Sequence, residues 1–462
     1  MIEIDERVVL GKYLEDDSVY QASPEATETT TNERFLVIKS VDSDIVKAEL
    51  LKLKERGITS IAVTCMHSYS FNDHELEIGK LAEEVGGFEN VSLSHTVSPM
   101  TKIVPRGHTA LASAYLTPII QTYISSFLSG FMKFEETTRL SFMKSDGGLA
   151  SVGSFGGHQA ILSGPAGGVV GYAKTAYNGR EPVIGFDMGG TSTDVSRYDG
   201  SLELLYNSVI ADTYIQAPQL DISTVAAGGG SRLFLSNGLF IVGPESASSD
   251  PGPVSYRKNG YLTVTDANLV LGRIVPQYFP HIFGPNEDEG LDYDGAYKKF
   301  EELRGSAPET KNLSVADLAQ GFIRVANEAM CRPIRNLTTM KGYDLTLHTL
   351  SVFGGAGPQH ACAIALNLGM KKVVVHKYGG ILSAYGLSMA DAVAEEQEAA
   401  AGVYATYDAS SDEFIFNDDL SGNHESKFAL LEGRSTDSLV SQGYNKEDVL
   451  AERFVVCKSV VF

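Results

Sequence analysis

The chain has 462 residues, 43% of them hydrophobic, and a net charge of −21 from 37 basic and 58 acidic side chains. That is apolar material for two or three globular cores, and no run of about 18 apolar residues is present to span a membrane. The acidic field repels nucleic acid and anionic membrane surfaces, so an anionic ligand needs a local site of backbone amides and metal.

Cys65, Cys331, Cys362 and Cys457 stand far apart without a C-x-x-C pair and read as reduced thiols of a cytosolic protein. His67 and His74 lack the spacing that puts two zinc ligands on one helix face, so no zinc site is expected. The start, MIEIDERVVL, has no basic flank and no apolar signal core.

In chain order, the polar stretch Glu15 to Asn32 reads as a loop. Asp44–Arg56 is a predicted helix closed by Gly57, Ile58–Cys65 a strand, Asn72–Val85 a second helix and Val91–His95 a short strand. This alternation predicts a parallel sheet. Pro105 to His108 reads as a turn, followed by helical spacing from Thr109 to Phe134. Leu140–Met143 is a strand running into a glycine turn at Ser145 to Gly148. Ser163 is expected to cap a helix whose Gly167, Gly168 and Gly171 leave a bare face for close approach. Lys174-Thr175 does not make a P-loop, because Ala173 stands where glycine is required.

Val183 to Tyr198, VIGFDMGGTSTDVSRY, reads as strand, glycine turn, strand. Gly189 and Gly190 are expected to take φ > 0 and let amides approach phosphate oxygens, with hydroxyls added by Thr191 and Thr193. Asp187, at the mouth of the turn, suits Mg²⁺, which prefers hard oxygen ligands. A plain hairpin with the same residues is the alternative. Further on, Gly228, Gly229 and Gly230, followed by Ser231, are either a loop wrapped on an anion or a tight connection between packed elements. Asp266 is a candidate helix cap. Glu245–Pro253 reads as a rigid proline-rich loop and Glu287–Asp294 as acidic surface.

Ser314 to Thr339 has the longest helical pattern, with Ser314 and Asp317 at capping-box spacing and Leu318, Phe322, Val325 and Ala329 on one face. Pro333 is expected to kink it, and Arg332 and Arg335 read as surface charge. A second unit follows: strand Thr349–Phe353, glycine loop Gly354-Gly355-Ala356-Gly357, a helix from Pro358 to Leu368, and strand Lys371–His376. This order places amides and a positive helix end beside a ligand. It lacks the third glycine and the acidic residue of a dinucleotide fingerprint, which favours adenosine or diphosphate over NAD.

The stretches MHSYS, VPRGHTA, SDGGLA, LSGPAGGVVGY, GFDMGGTSTDVSRY, QAPQLDISTVAAGGGSRL, TVTDANLVLGR, RVANEAMCRPIR, FGGAGPQHA and LSAYGL lie in order along the chain. Together they resemble the hydantoinase A/5-oxoprolinase family. The resemblance implies an α/β, actin-like or sugar-kinase-like ATPase fold with ribonuclease-H-like lobes, the first lobe incomplete. It implies ATP and Mg²⁺, and hydrolysis of 5-oxo-L-proline to L-glutamate through a phosphorylated lactam. Asp187 and Asp194 would be catalytic, with Asp187 on the metal. Gly189, Gly190, Thr191 and Thr193 would bind the phosphates, Gly354, Gly355, Ala356 and Gly357 the adenosine, and Gly228 to Ser231 substrate or phosphate.

The implied domains are 1–112, the remainder of the family's N-terminal domain; 113–400, the hydantoinase A domain; and 401–462, a truncated extension. The family's first Asp-x-Gly-Gly-Thr loop has no equivalent in residues 1–100, and its hydantoinase B half does not follow. The expectation is therefore a fragment or shortened product that relies on those missing parts, with homodimerisation left open. A non-catalytic or partner-dependent nucleotide-binding chain is the alternative function. A hydantoinase or acetone carboxylase subunit is the other.

Overall fold

The computed structural model describes residues 1–10, 26–28, 34–131, 139–400, 405–408, 413–416 and 425–455. The expected loop at 15–32 falls outside these residues, apart from a strand at Ala26–Glu28. Cys457 and the end of the expected helix near Phe134 lie outside them as well.

The N-terminal unit alternates helix and strand as expected: α1 (Ser43–Glu55), β1 (Ser60–Val63), α2 (Asp73–Val85) and β2 (Asn90–Leu93). β1 and β2 pair in parallel. Asp42 caps α1 by accepting from the amides of Asp44 and Ile45. Val46, Leu50, Ile78, Leu81 and Ala82 form the core between the helices and strands.

The expected turn at Pro105–His108 is instead the opening of α3 (Ile103–Ser129). Pro105 sits in the first helical turn, where its missing N–H needs no partner. Arg106 is fully buried and donates to the carbonyls of Met100 and Met66 and to Ser94 Oγ, so this segment is anchored rather than looped.

The second unit is built on a five-stranded sheet covered on both faces. α4 (Ser163–Ala176) precedes β3 (Val183–Met188), β4 (Thr193–Tyr198) and β5 (Ile222–Val225). α5 (Val264–Val270), α6 (Val315–Leu337), β6 (Thr349–Phe353), α7 (Ala361–Leu368), β7 (Lys372–Val375) and α8 (Leu382–Leu387) follow. The strand order is β5-β4-β3-β6-β7, antiparallel through β5, β4 and β3, and parallel from β3 to β7.

Strand alternation sorts the side chains of β3. Ile184, Phe186 and Met188 join the larger core with α6 and α7, whereas Val183 joins the core of α4 and α8. Asp187 shares Val183's face. Each buried Phe or Leu there contributes roughly 1.5–3 kcal/mol of burial free energy.

α4 and α8 approach closely because of the bare glycine face. A Cβ on Gly168 would come within 2.6 Å of the Phe353 ring, and one on Gly171 within 2.8 Å of the Leu382 carbonyl. Ser163 does not cap α4: Leu162 holds that position, and no side chain bonds there.

Other local expectations need correction. Thr263, not Asp266, is the N-cap of α5, and buried Asp266 is its reciprocal capping-box partner. Ser314 caps α6, which runs through Pro333. The buried stripe of α6 is Leu318, Phe322, Ile323, Ala326 and Met330, while Val325 is exposed. Arg335 pairs with Glu328 at 2.5 Å and Arg332 is exposed, in keeping with surface charge. Cys65, Cys331 and Cys362 are free thiols, and burial pushes Cys65 up to about 12.

Candidate active site

The site lies where the β3–β4 hairpin, the loop after β6 and the start of α8 converge. Register places Asp187 of β3 directly opposite Asp194 of β4, and Asp194 opposite Thr224 of β5. These three side chains therefore form a row across one face of the sheet. Thr224 Oγ1 donates to Asp194 Oδ1 at 2.5 Å. From α8, Ser383 Oγ donates to Asp187 Oδ2 at 3.3 Å.

Burial, together with the neighbouring Asp194 charge, pushes Asp187 up to about 6 against the lowering effect of Ser383. Burial also raises Asp194, with Thr224 pulling the other way. Among the described residues no Lys, Arg or His forms an ion pair with either carboxylate. Two adjacent acids without a cationic side chain, one with its Oδ1 beside Gly354, fit a divalent cation. No group of three or more His, Cys, Asp or Glu side chains suited to a metal occurs among the described residues. A cation here would complete its shell with waters or ligand oxygens, as Mg²⁺ does.

The hairpin tip differs from expectation in three respects. Neither Gly189 nor Gly190 has positive φ. Gly189 N–H bonds to the Ser192 carbonyl at 3.1 Å, whereas Gly190 and Thr191 are exposed, with no backbone donation to protein among the described residues. Thr193 is fully buried and its hydroxyl donates to the Ala227 carbonyl at 2.5 Å, so it is removed from the phosphate set.

The triple-glycine loop is corrected likewise. Gly229 and Gly230 N–H donate to the Gly189 and Gly190 carbonyls at 3.0 and 2.6 Å, and Gly228 N–H to Ser231 Oγ at 2.9 Å. Ser231 is fully buried and its N–H returns to the Gly228 carbonyl. These amides are spent bracing the hairpin, and the tight-connection alternative accounts for the three glycines. A Cβ on Gly228 would lie 2.7 Å from the Gly190 backbone. Thr265, at the start of α5, extends the brace by donating its N–H to the Gly229 carbonyl at 2.8 Å.

The loop after β6 reaches the same place. Gly354 has φ +78, and a Cβ there would strike the Asp187 carboxylate and the Met188 backbone. Gly354 N–H donates to the Gly379 carbonyl and Ala356 N–H to the Met188 carbonyl. Gly357 opens a single 3-10 turn rather than a long helix end, and Gly355 is the open member of the loop.

Beneath this loop, His360 is fully buried between Asn327 (Nδ1, 2.7 Å) and Asn268 (Nε2, 3.0 Å). Burial, with Arg273 adding, pushes it down to about 3, so the ring is neutral and ties α5 and α6 to the loop. Sequence reasoning missed His360, Thr224 and Ser383 as parts of the site. Thr224 depends on register across two strand boundaries, and Ser383 on helix packing 196 residues from Asp187. Neither leaves a local spacing signal.

The hydantoinase/oxoprolinase family profile matches residues 106–396, and the profile of its N-terminal region matches residues 1–86. The chain is 54% identical to 5-oxoprolinase 1 of Arabidopsis thaliana over 87% of this chain and 32% of that protein. It is 48% identical to 5-oxoprolinase of Dictyostelium discoideum over 98% of this chain and 37% of that protein. Among solved structures, the ATP-dependent caprolactamase of Pseudomonas jessenii superposes with a TM-score of 0.69 at 28% identity, covering 88% of this chain and 57% of that one. The chain spans about a third of the length of these two 5-oxoprolinases.

Proposed function

The chain belongs to the hydantoinase/oxoprolinase family, and on that premise we propose that it is the nucleotide-binding part of an ATP-dependent cyclic-amide hydrolase acting on 5-oxo-L-proline. The observation that carries the reading is the Asp187–Asp194 pair, set without a cationic partner beside the exposed hairpin tip and the Gly354 loop. The exposed amides of Gly190 and Thr191, with the Thr191 hydroxyl, would receive phosphate oxygens. Open Gly355 would lie toward the adenosine end. A lactam is a poor electrophile, and phosphorylation of its oxygen supplies the activation that links ATP to ring opening.

Asp187 and Asp194 would hold Mg²⁺, which when bound stabilises charge on the phosphate oxygens. Burial raises the proton affinity of both, and at Asp187 the Asp194 charge adds a repulsion that such a cation would offset. The glycine brace at 228–230 keeps the hairpin carbonyls occupied and so fixes where the free amides point. Within the mixed α/β fold, the actin-like two-lobe arrangement and the domain limits 1–112, 113–400 and 401–462 are part of this proposal, as is a cytoplasmic location. Turnover is proposed for an assembly that includes the polypeptide equivalent to the remainder of the longer relatives, because the chain spans about a third of their length.

Calorimetry with Mg·ATP tests the reading. Asp187→Asn is expected to weaken binding about tenfold or more while the fold is kept. Equal affinity in wild type and variant would remove Asp187 from the site and the carrying observation with it.

A further inference from the structure

We propose that Thr224 and Ser383 are the positioning residues of the aspartate pair, one hydroxyl fixing each carboxylate for the metal–nucleotide complex. This rests on the nucleotide reading given above. The two hydroxyls arrive from different directions. Thr224 stands on β5 opposite Asp194, and its 2.5 Å bond occupies Asp194 Oδ1. Ser383 stands on α8 and occupies Asp187 Oδ2. Each carboxylate thus has one oxygen committed to a hydroxyl and one left over, and neither is satisfied by a charged side chain.

The placement of Ser383 is built into the packing. α8 reaches Asp187 only because α4 presents Gly167, Gly168 and Gly171 to it. A Cβ on Gly167 would come within 2.6 Å of the Ser383 carbonyl, and one on Gly168 within 3.0 Å of its hydroxyl. On the other side, the absence of a Cβ on Gly354 leaves room for Asp187 Oδ1. The 3.3 Å separation is long for an O–H···O bond. Such contacts commonly tighten when the ligand arrives. Hydroxyls behind metal-binding carboxylates orient them and set affinity, and removing one typically costs about 10–100-fold in metal binding.

The test uses Mn²⁺ and ADP as probes on the full chain, with bound Mn²⁺ read by electron paramagnetic resonance and ADP by calorimetry. Thr224→Val and Ser383→Ala are each expected to weaken Mn²⁺ uptake in the presence of ADP about tenfold. ADP binding without metal and the melting temperature should stay at wild-type values, which a purely structural role would not allow. Thr224→Ser should restore Mn²⁺ affinity, and Ser383→Ala should add nothing once Asp187 is Asn.

If Asp187→Asn loses Mn²⁺ while Thr224→Val and Ser383→Ala keep it, the positioning roles are wrong and the nucleotide reading survives. An equal loss of ADP affinity with and without metal overturns them too. A wild-type chain that takes up neither ADP nor Mn²⁺ overturns both.

Discussion

Glu75, in the small parallel unit, and Asp187, on the central hairpin, are both shielded from water, yet their surroundings act on the charge in opposite senses. Glu75 accepts from Cys65 N–H at 2.8 Å, Ser94 Oγ at 2.6 Å, His95 N–H at 3.0 Å and His95 Nδ1 at 2.7 Å. Burial alone would raise it, but these donors outweigh burial and hold it below the usual carboxylate range. Asp187 has one long hydroxyl contact and a second acid beside it, and lies at about 6. A complete shell of donors makes a carboxylate part of the scaffold. An incomplete one leaves free energy that a cation can recover.

The largest effect should come from breaking the complete shell. Glu75→Gln keeps the shape but turns an acceptor-only group into one whose NH₂ faces donors. Loss of charge-assisted bonds at a buried site predicts destabilisation of about 3 kcal/mol. The wild-type contribution is fully present above the unfolded value of 4.5 and is lost as pH falls through the lower folded value. Urea unfolding at neutral pH measures it. A change below about 0.5 kcal/mol would mean that the shell does not hold the unit together.

At the other carboxylate the sign reverses. Asp187 binds its proton more tightly folded than unfolded, so its stabilising contribution is present below 3.8 and is lost as pH rises through about 6. Asp187→Asn should therefore stabilise the ligand-free chain at pH 7.5, by on the order of 1–3 kcal/mol. The difference should shrink toward pH 4. Thermal unfolding of both proteins at the two pH values checks this. A variant less stable than wild type at pH 7.5 would show that Asp187 is satisfied in a way its surroundings do not indicate.

The sequence was most legible where a local rule acts alone. The short apolar run of Val183, Ile184 and Phe186 gave β3, and Ser314 with Asp317 gave the start of α6. It was misleading at Pro105-Arg106-Gly107-His108, because turn-forming residues sit at the opening of a helix that Arg106 anchors through the Met100 carbonyl and the distant Met66 carbonyl. Asp187 was noticeable from its place beside two glycines, and the fold sets it opposite Asp194. The loss of Thr193 to the Ala227 carbonyl was not, since hydroxyls look alike until a neighbouring loop claims one. The conformational demand assigned to Gly189 and Gly190 belongs instead to Gly354, with φ +78. A glycine pair in sequence does not say whether backbone strain, close packing or an absent ligand requires it.

Gly190 separates those three causes, with the smallest expected effect on stability. It has no left-handed φ, and an added Cβ would meet nothing within 4 Å. Neither strain nor packing demands glycine there, in contrast to Gly228, whose Cβ would press on the Gly190 backbone at 2.7 Å. Gly190→Ala should leave stability unchanged, or raise it by about 0.4–1 kcal/mol through the lower entropy of the unfolded chain. If the open space above Gly190 is where phosphate oxygens approach, the same methyl group should weaken Mg·ADP binding several-fold. The backbone bond from Gly230 to the Gly190 carbonyl does not involve the Cβ and should persist. Paired melting and calorimetry on this variant decide the matter. Lower stability with unchanged affinity would return Gly190 to the scaffold beside Gly228, and unchanged stability with weaker binding would set it apart as a residue kept small for the ligand.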